Sequence, residues 1–330
     1  MKTAIDLFSG GGGASTGLHQ AGFNVVTAIE FDEKIAECHH NNFPRSETII
    51  GSVVDVNFQQ FAGIDHIHGS PPCQSFSIAA SKEAKDKRIA NGEQKLIFEW
   101  VRAIAEIRPA TASLENVPPT INSKSFSEAC QKLYQLGYWL NYEVYNAADF
   151  GVPQSRKRLI LRAIANNKLD CLPVDGASQS LFGEKHWWGM VSAKQKWVGW
   201  YDSISDIIQD FPDTEPANWQ INRLPKELKS SEAKAFLIPR AGARTSDPEL
   251  SIRQKHEPAP TIRSLANARS RQLDAWLENG CFKAITPRGL ARFQSFPDDF
   301  VLPKNQGLAN KIIGNAVPPL LLKELIKDFG

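Results

Sequence analysis

Nowhere does the chain carry the roughly 18 consecutive apolar residues of a membrane-spanning helix, and Met1-Lys2-Thr3-Ala4 leads into a strand pattern without the apolar core of a secretion signal. Membrane insertion and secretion are therefore not expected, and a cytoplasmic location is. Cysteine is sparse: Cys38, Cys73, Cys130, Cys171 and Cys281 are odd in number, scattered, and never spaced as Cys-x-x-Cys. That excludes a disulfide framework and suggests neither a zinc site nor any other bound metal, which fits a reducing compartment. An excess of one charge is also missing, the net value being +2, so any affinity for a polyanion has to come from local clusters. Two such clusters are visible, Arg156, Lys157, Arg158 and Arg162, and Arg263, Arg269 and Arg271. Between Gly10 and Gly17 no G-x-G-x-x-G is completed, because Ser15 and Thr16 stand where the third glycine belongs, and no Gly-Lys-Ser/Thr follows. Dinucleotide and triphosphate binding both lose ground. Internal repeats and low-complexity tracts are absent as well.

What is present is an alternation of strand and helix patterns. Thr3 to Phe8, Asn24 to Glu30, Asp65 to His68 and Thr111 to Leu114 read as short buried strands. Gly13 to Ala21, Lys34 to Asn41 and Lys95 to Ile107 read as helices, the last stopped by Pro109. Such alternation predicts an α/β fold, a doubly wound, Rossmann-like, mostly parallel sheet with ligands at the carboxyl ends of its strands. After Leu161 the alternation fades and tryptophans crowd in: Trp187, Trp188, Trp197, Trp200 and Trp219. They are expected to form the core of a second, smaller lobe. A final helix from Pro318 to Phe329 is expected to pack back on the first domain.

Two strand ends carry chemistry. After the third strand comes Gly69-Ser70-Pro71-Pro72-Cys73-Gln74-Ser75-Phe76-Ser77, one thiol behind two rigid prolines. A cysteine so placed is a candidate nucleophile, although a lone buried cysteine is more often inert. Glu115 follows the fourth strand within Glu115-Asn116-Val117-Pro118-Pro119. At the opposite end of the predicted crevice, the Gly10 to Gly13 turn brings backbone amides close to a ligand at a helix start. Glu30, twenty residues beyond Gly10, is placed to accept hydrogen bonds from ribose hydroxyls.

Taken in order, Asp6-Leu7-Phe8-Ser9-Gly10-Gly11-Gly12-Gly13, the Pro71-Pro72-Cys73 loop, Glu115-Asn116-Val117, Gln154-Ser155-Arg156-Lys157-Arg158 and Gly314-Asn315-Ala316-Val317-Pro318-Pro319 resemble the cytosine-C5 DNA methyltransferases of prokaryotic type. The resemblance implies the class I methyltransferase fold and a DNA (cytosine-5-)-methyltransferase activity with S-adenosylmethionine as cofactor and S-adenosylhomocysteine as product. Phe8, Gly10, Gly11 and Gly13 would contact the cofactor, Glu30 would hold its ribose, and Phe31 would flank its adenine. Asp55 and Val56 would read the adenine edge, and Pro72, Leu96, Asn315 and Val317 would complete the pocket. Cys73 would attack carbon 6 of a flipped cytosine, Glu115 would engage ring nitrogen 3, and Arg156 and Arg158 would serve the base and brace the cysteine loop. Two arginines one residue apart are expected on one side of a strand. Gln74, Ser77 and Asn116 would touch DNA, and Ser77 to Gln94, with Gly92 as a hinge, would form a lid.

The chain is expected to divide into a catalytic and cofactor domain (1–164), an irregular, mainly β target-recognition domain (165–304), and a C-terminal segment (305–330) returning to the first. The stretch from Ala165 to Glu257 matches no motif, and in this family that variable segment chooses the sequence. Gly289 stands where many relatives carry Glu, which touches local packing only. Double-stranded DNA is the expected partner of a monomeric enzyme in a restriction-modification or related DNA-marking system, with a cognate restriction endonuclease as a further partner. No regulatory extension precedes Met1, in keeping with the prokaryotic type. Competing readings are a transfer-RNA cytosine methyltransferase on the same scaffold, a catalytically dead DNA-binding subunit, which intact Cys73, Glu115, Arg156 and Arg158 oppose, and a Rossmann dehydrogenase.

Overall fold

The computed structural model describes residues 1–72, 95–167, 174–179, 185–189, 194–215, 235–239, 252–264, 273–278 and 280–330, with backbone only at 174–179, 185–189 and 239. Two compact units emerge, the first comprising Met1–Asn146, Lys157–Ala193 and Pro319–Gly330, the second Ala147–Arg156 and Lys194–Pro318.

The first unit runs β1 (Thr3–Leu7), α1 (Gly13–Gln20), β2 (Asn24–Glu30), α2 (Glu33–Asn42), β3 (Glu47–Ile50), β4 (His66–Gly69), α3 (Leu96–Ile107), β5 (Thr111–Asn116), α4 (Lys124–Gln135), β6 (Tyr138–Asn146), β7 (Lys157–Ala165), β8 (Val174–Gln179) and β9 (Lys185–Gly189). Its sheet has the order β3-β2-β1-β4-β5-β7-β6-β9-β8. The first five of these strands are parallel, whereas β7 runs antiparallel to both β5 and β6. The expected doubly wound sheet is thus present.

Side-chain alternation gives its two faces different chemistry. Ile5, Leu7, Ile67, Ala112, Leu114, Leu159 and Leu161 point to one face and form the apolar core with Trp100, Ile104, Phe126 and Leu133 of α3 and α4. Facing residues on the other side are Asp6 and His68, His68 and Ser113, Ser113 and Arg162, and Arg162 and Asn141. Apart from the half-buried Asn141 this polar band is buried, and its groups bond one another: His66 Nδ1 lies 2.9 Å from Thr111 Oγ1, and Ser113 Oγ lies 2.9 Å from His66 Nε2 and 2.8 Å from His68 Nδ1. Arg162 donates to Asn141 Oδ1 and to the Leu325 carbonyl of the C-terminal helix α7 (Pro319–Ile326 in the first unit). At Gly17 a Cβ would sit 2.7 Å from the Pro319 carbonyl, so α1 and α7 pack backbone to backbone.

The second unit contains a four-stranded antiparallel sheet, β11-β10-β12-β13, built from β10 (Phe236–Pro239), β11 (Arg253–Gln254), β12 (Leu273–Trp276) and β13 (Phe282–Ala284). Phe236, Ile238 and Phe282 form its small core. Helices α5 (Pro287–Phe293) and α6 (Gln306–Asn315) follow, capped by the side chains of Thr286 and Asn305. Trp200 is fully buried here, as expected. Trp197 departs from the core expectation: it is 50% exposed, its indole N–H donating to Asp149 Oδ1. The side chains of Trp187, Trp188 and Trp219 lie outside the described residues.

Strand β5 extends two residues beyond the predicted Leu114 and so includes Glu115 and Asn116. The first basic cluster is not a surface patch, since Arg156 and Arg162 are buried beneath hydrogen-bond partners. Of the second cluster, Arg263 is exposed, and Arg269 and Arg271 lie outside the described residues.

Candidate functional site

The order β2-β1-β4-β5 aligns four carboxyl-terminal strand ends along one edge of the first unit. Because β7 is antiparallel, its first residues meet the last residues of β5 there, Leu159 opposite Asn116 and Ile160 opposite Glu115.

At the nucleotide end, β1 leaves the sheet through Phe8, held in the left-handed region at φ 60°, an unusual conformation for a bulky side chain. Ser70, just past β4, fastens the turn, its N–H donating to the Leu7 carbonyl and its hydroxyl to the Phe8 carbonyl. Gly12 caps α1 at φ 106°, and a Cβ there would lie 2.5 Å from the Phe43 ring, so glycine is required twice over. Glu30 ends β2 with its carboxylate oriented by two amides: Gly10 N–H donates to Oε2 and Asp32 N–H to Oε1, each at 2.9 Å. Burial raises its pKa, the Asp32 and Gly10 bonds opposing. Each oxygen keeps a lone pair, an arrangement that suits a vicinal diol. The neighbouring Phe31 ring is 77% exposed. Beyond β3, the turn Val53–Asp55 is started by Ser52, whose Oγ accepts from Val54 N–H, and Asp55 is exposed. Leu96 and Val56 pack half-buried against the core. Gly11 and Gly13 are buried within the turn, and Pro72 is exposed at the end of the β4 loop. These residues fit a nucleoside cofactor: an oriented carboxylate, an exposed ring and a glycine turn, all within one unit.

At the chemical end, Glu115 Oε1 receives Arg158 Nε at 2.8 Å, with side chains only 10% and 13% exposed. Asn116 is buried and positions its neighbours, its Nδ2 donating to the Pro71 carbonyl and its Oδ1 accepting from Val117 N–H and Thr120 Oγ. Its amide ties the end of β5 to the loop leading into Cys73. Cys73, Gln74, Ser77 and the remainder of the 77–94 stretch lie outside the described residues.

Arg156 and Arg158 do not share a strand face, because β7 begins only at Lys157. Arg156 belongs to the second unit, is 2% exposed, and donates to the carbonyls of Ile262, Gly314 and Ala316. Its partners make it a brace of the segment holding Asn315 and Val317. Asn315 is exposed at the end of α6, and Val317 is buried.

Sequence reading missed the group beneath the glycine turn. Ser15 Oγ donates to Asp6 Oδ2 at 2.6 Å and lies 2.9 Å from His39 Nε2, whose Nδ1 is 3.1 Å from Thr48 Oγ1. Burial pushes Asp6 up to about 7, the Ser15 bond opposing, and lowers His39 to about 4. Three polar residues on α1, α2 and β1 carry no spacing signal, since only the tertiary fold joins them. No cluster of His, Cys, Asp or Glu suited to a metal exists among the described residues.

A family profile described as C-5 cytosine-specific DNA methylase matches residues 2–330. The chain is 30% identical over 375 residues to the type II methyltransferase M.XorII of Xanthomonas oryzae pv. oryzae, covering 97% of this chain and 82% of the relative. It is 28% identical to the type II methyltransferase M.NgoPII of Neisseria gonorrhoeae, with 97% and 93% covered. Among solved structures, a mutant of Spodoptera frugiperda DNMT2 superposes with TM-score 0.66 at 16% identity, covering 100% of this chain and 99% of that one, and Entamoeba histolytica methyltransferase EhMeth with 0.64 at 14%, covering 100% and 98%. At such identities the structures speak to the fold alone, whereas the profile spans nearly every residue: the chain belongs to the C-5 cytosine-specific DNA methylase family and is a DNA (cytosine-5-)-methyltransferase.

Proposed function

We propose that the enzyme methylates carbon 5 of a cytosine flipped out of double-stranded DNA, using S-adenosylmethionine and a transient bond between Cys73 Sγ and carbon 6. The observation that carries this reading is the nearly buried Glu115–Arg158 pair at the edge where the glycine turn and Glu30 lie two and three strands away. When bound, S-adenosylmethionine supplies the electrophilic methyl group that carbon 5 captures.

The protein's part begins with Cys73, whose thiolate forms the S–C6 bond and sends the ring's electron pair toward carbon 5. Glu115 protonates or hydrogen-bonds ring nitrogen 3 as that charge develops and accepts from the exocyclic amine, with Arg158 holding the carboxylate in place. Asn116 aligns the loop that presents Cys73. Loss of the carbon-5 proton to a base then expels the thiolate and restores the ring double bond. Glu30 receives the ribose hydroxyls, Phe31 stacks on the adenine, and Asp55 with Val56 reads its edge. Phe8, Gly10, Gly11 and Gly13 face the remainder of the cofactor, and Asn315 and Val317 close over it. Gln74 and Ser77 meet DNA, residues 77–94 act as a lid, and the second unit supplies sequence choice. Relatives that are type II methyltransferases support a place in a restriction-modification system, with a cognate endonuclease as partner of a cytoplasmic monomer.

DNA carrying 5-fluorocytosine in the target tests the chemistry, because carbon 5 then has no proton to lose and the adduct persists. The target itself is read by bisulfite sequencing of DNA from expressing cells. Wild-type protein is expected to become covalently attached to fluorinated DNA only with S-adenosylmethionine present, and Cys73→Ser is expected to form no adduct. Near-normal methylation by Cys73→Ser would falsify the assignment.

A further inference from the structure

Helix α3 carries an arginine whose partners are not those of a surface ion pair. Arg102 lies between Glu99 and Glu106, and its Nε donates to Glu99 Oε2 at 2.7 Å. Nη1 donates to Glu106 Oε1 at 3.1 Å and to the Val56 carbonyl at 3.0 Å. Nη2 donates to the carbonyls of Val53 at 2.9 Å and Val54 at 3.4 Å. All five N–H groups of the fork are thereby assigned. The guanidinium also lies over the Phe58 ring, 4.6 Å from its centroid, and Glu106 Oε2 accepts from Phe58 N–H.

Helical ion pairs three or four residues apart, such as the half-buried Glu99–Arg102, stabilise little by themselves. What distinguishes this arginine is that three acceptors are backbone carbonyls of one short turn, 46 to 49 residues away in sequence. That turn has few bonds of its own: Val54 N–H reaches Ser52 Oγ at 3.2 Å, Asp55 N–H the Ser52 carbonyl at 3.1 Å, and Val56 N–H the Val53 carbonyl at a long 3.4 Å. Its carbonyls are gathered onto Arg102, while the Asp55 side chain stays exposed.

We propose that Arg102 is a positioning residue for adenine selection, fixing the backbone of residues 53–56 so that Asp55 and Val56 meet the purine edge in one register. This inference rests on the cofactor reading given above. A bidentate planar fork can hold carbonyls on two sides at once, which a lysine ammonium does only as a point charge.

Calorimetric titration of the full-length wild type, Arg102→Met and Arg102→Lys with S-adenosylhomocysteine and with S-inosylhomocysteine, whose base lacks the amino group, tests it. Losing oriented charge-assisted bonds is expected to weaken S-adenosylhomocysteine binding by about 10- to 100-fold in Arg102→Met, with the inosine compound affected by less than about threefold. Selectivity for adenine therefore collapses, Arg102→Lys falls between, and methyl transfer at saturating cofactor changes by less than about twofold. A purely structural role would weaken both nucleosides alike and lower kcat with them, and that pattern, or wild-type selectivity in a folded variant, overturns the proposal. If Arg102→Met does not fold, Glu106→Gln, which loosens the same brace, is held to the same readout: reduced selectivity supports the role and unchanged selectivity refutes it. Failure of the wild type to bind S-adenosylhomocysteine, or to prefer it, strikes at the cofactor reading itself and is distinguished by appearing before any substitution is made.

Discussion

Replacing Glu115 by Gln separates catalysis from the stability of the ion pair it forms with Arg158. At the observed 2.8 Å, an effective dielectric of about 20 gives an attraction of about 6 kcal/mol. Both side chains are nearly buried, at 10% and 13% exposed, so desolvation offsets several kcal/mol of that attraction and leaves a net coupling of about 1–3 kcal/mol. Urea unfolding of the wild type, Glu115→Gln, Arg158→Met and the double variant is expected to return that coupling as the departure from additivity. Single-turnover methyl transfer under saturating DNA and cofactor is the decisive assay. Gln can accept a hydrogen bond but cannot deliver the same proton, so the step is expected to slow by about 100- to 10,000-fold. Affinity for S-adenosylhomocysteine should stay within about threefold, because the oriented carboxylate proposed for the ribose is Glu30 at the end of β2, three strands away from β5. A Glu115→Gln protein that transferred methyl groups at the wild-type rate, while showing the stability coupling, would reduce Glu115 to a structural partner of Arg158.

Gly17→Ala is expected to destabilise the first unit by about 1–3 kcal/mol, since overpacking against the Pro319 carbonyl and Leu322 outweighs the higher helix propensity of alanine; a urea midpoint at or above that of the wild type refutes the close approach. Acid lability is also expected, because burial lowers His39 to about 4, His68 to about 3 and His66 well below its usual range. The unfolded chain then binds more protons than the folded one below about pH 6.5, and each such histidine removes up to about 1.4 kcal/mol per pH unit as the pH falls. Asp6, raised to about 7, and Glu30, also raised, act in the opposite sense and reduce the slope that the three histidines set. His68→Asn should flatten the pH dependence of the urea midpoint between about pH 6.5 and 4, and an unaltered slope counts against the buried neutral imidazole.

The sequence alone determined the sheet strands that carry the motifs and the family, because short apolar runs alternating with amphipathic helices leave few topologies, and because the motifs stand in a fixed order along the chain. Periodicity located α3 to within a residue, since Ile97, Trp100, Val101 and Ile104 repeat along one face. Partners separated widely along the chain were another matter. Arg156 and Arg158 look equivalent on the page, yet the strand starts between them, and one braces three carbonyls while the other holds Glu115. Asn116 reads as a polar residue in a motif, and only the β4–β5 pairing shows its amide fastened to the Pro71 carbonyl. Arg102, the Asp6–Ser15–His39 group and the polar band of His66, His68 and Ser113 carry no local pattern, because hydrogen bonds and burial depend on which elements become neighbours. Local chemistry is written in residue order, and the field and geometry in which each residue works arise only when the strands pair.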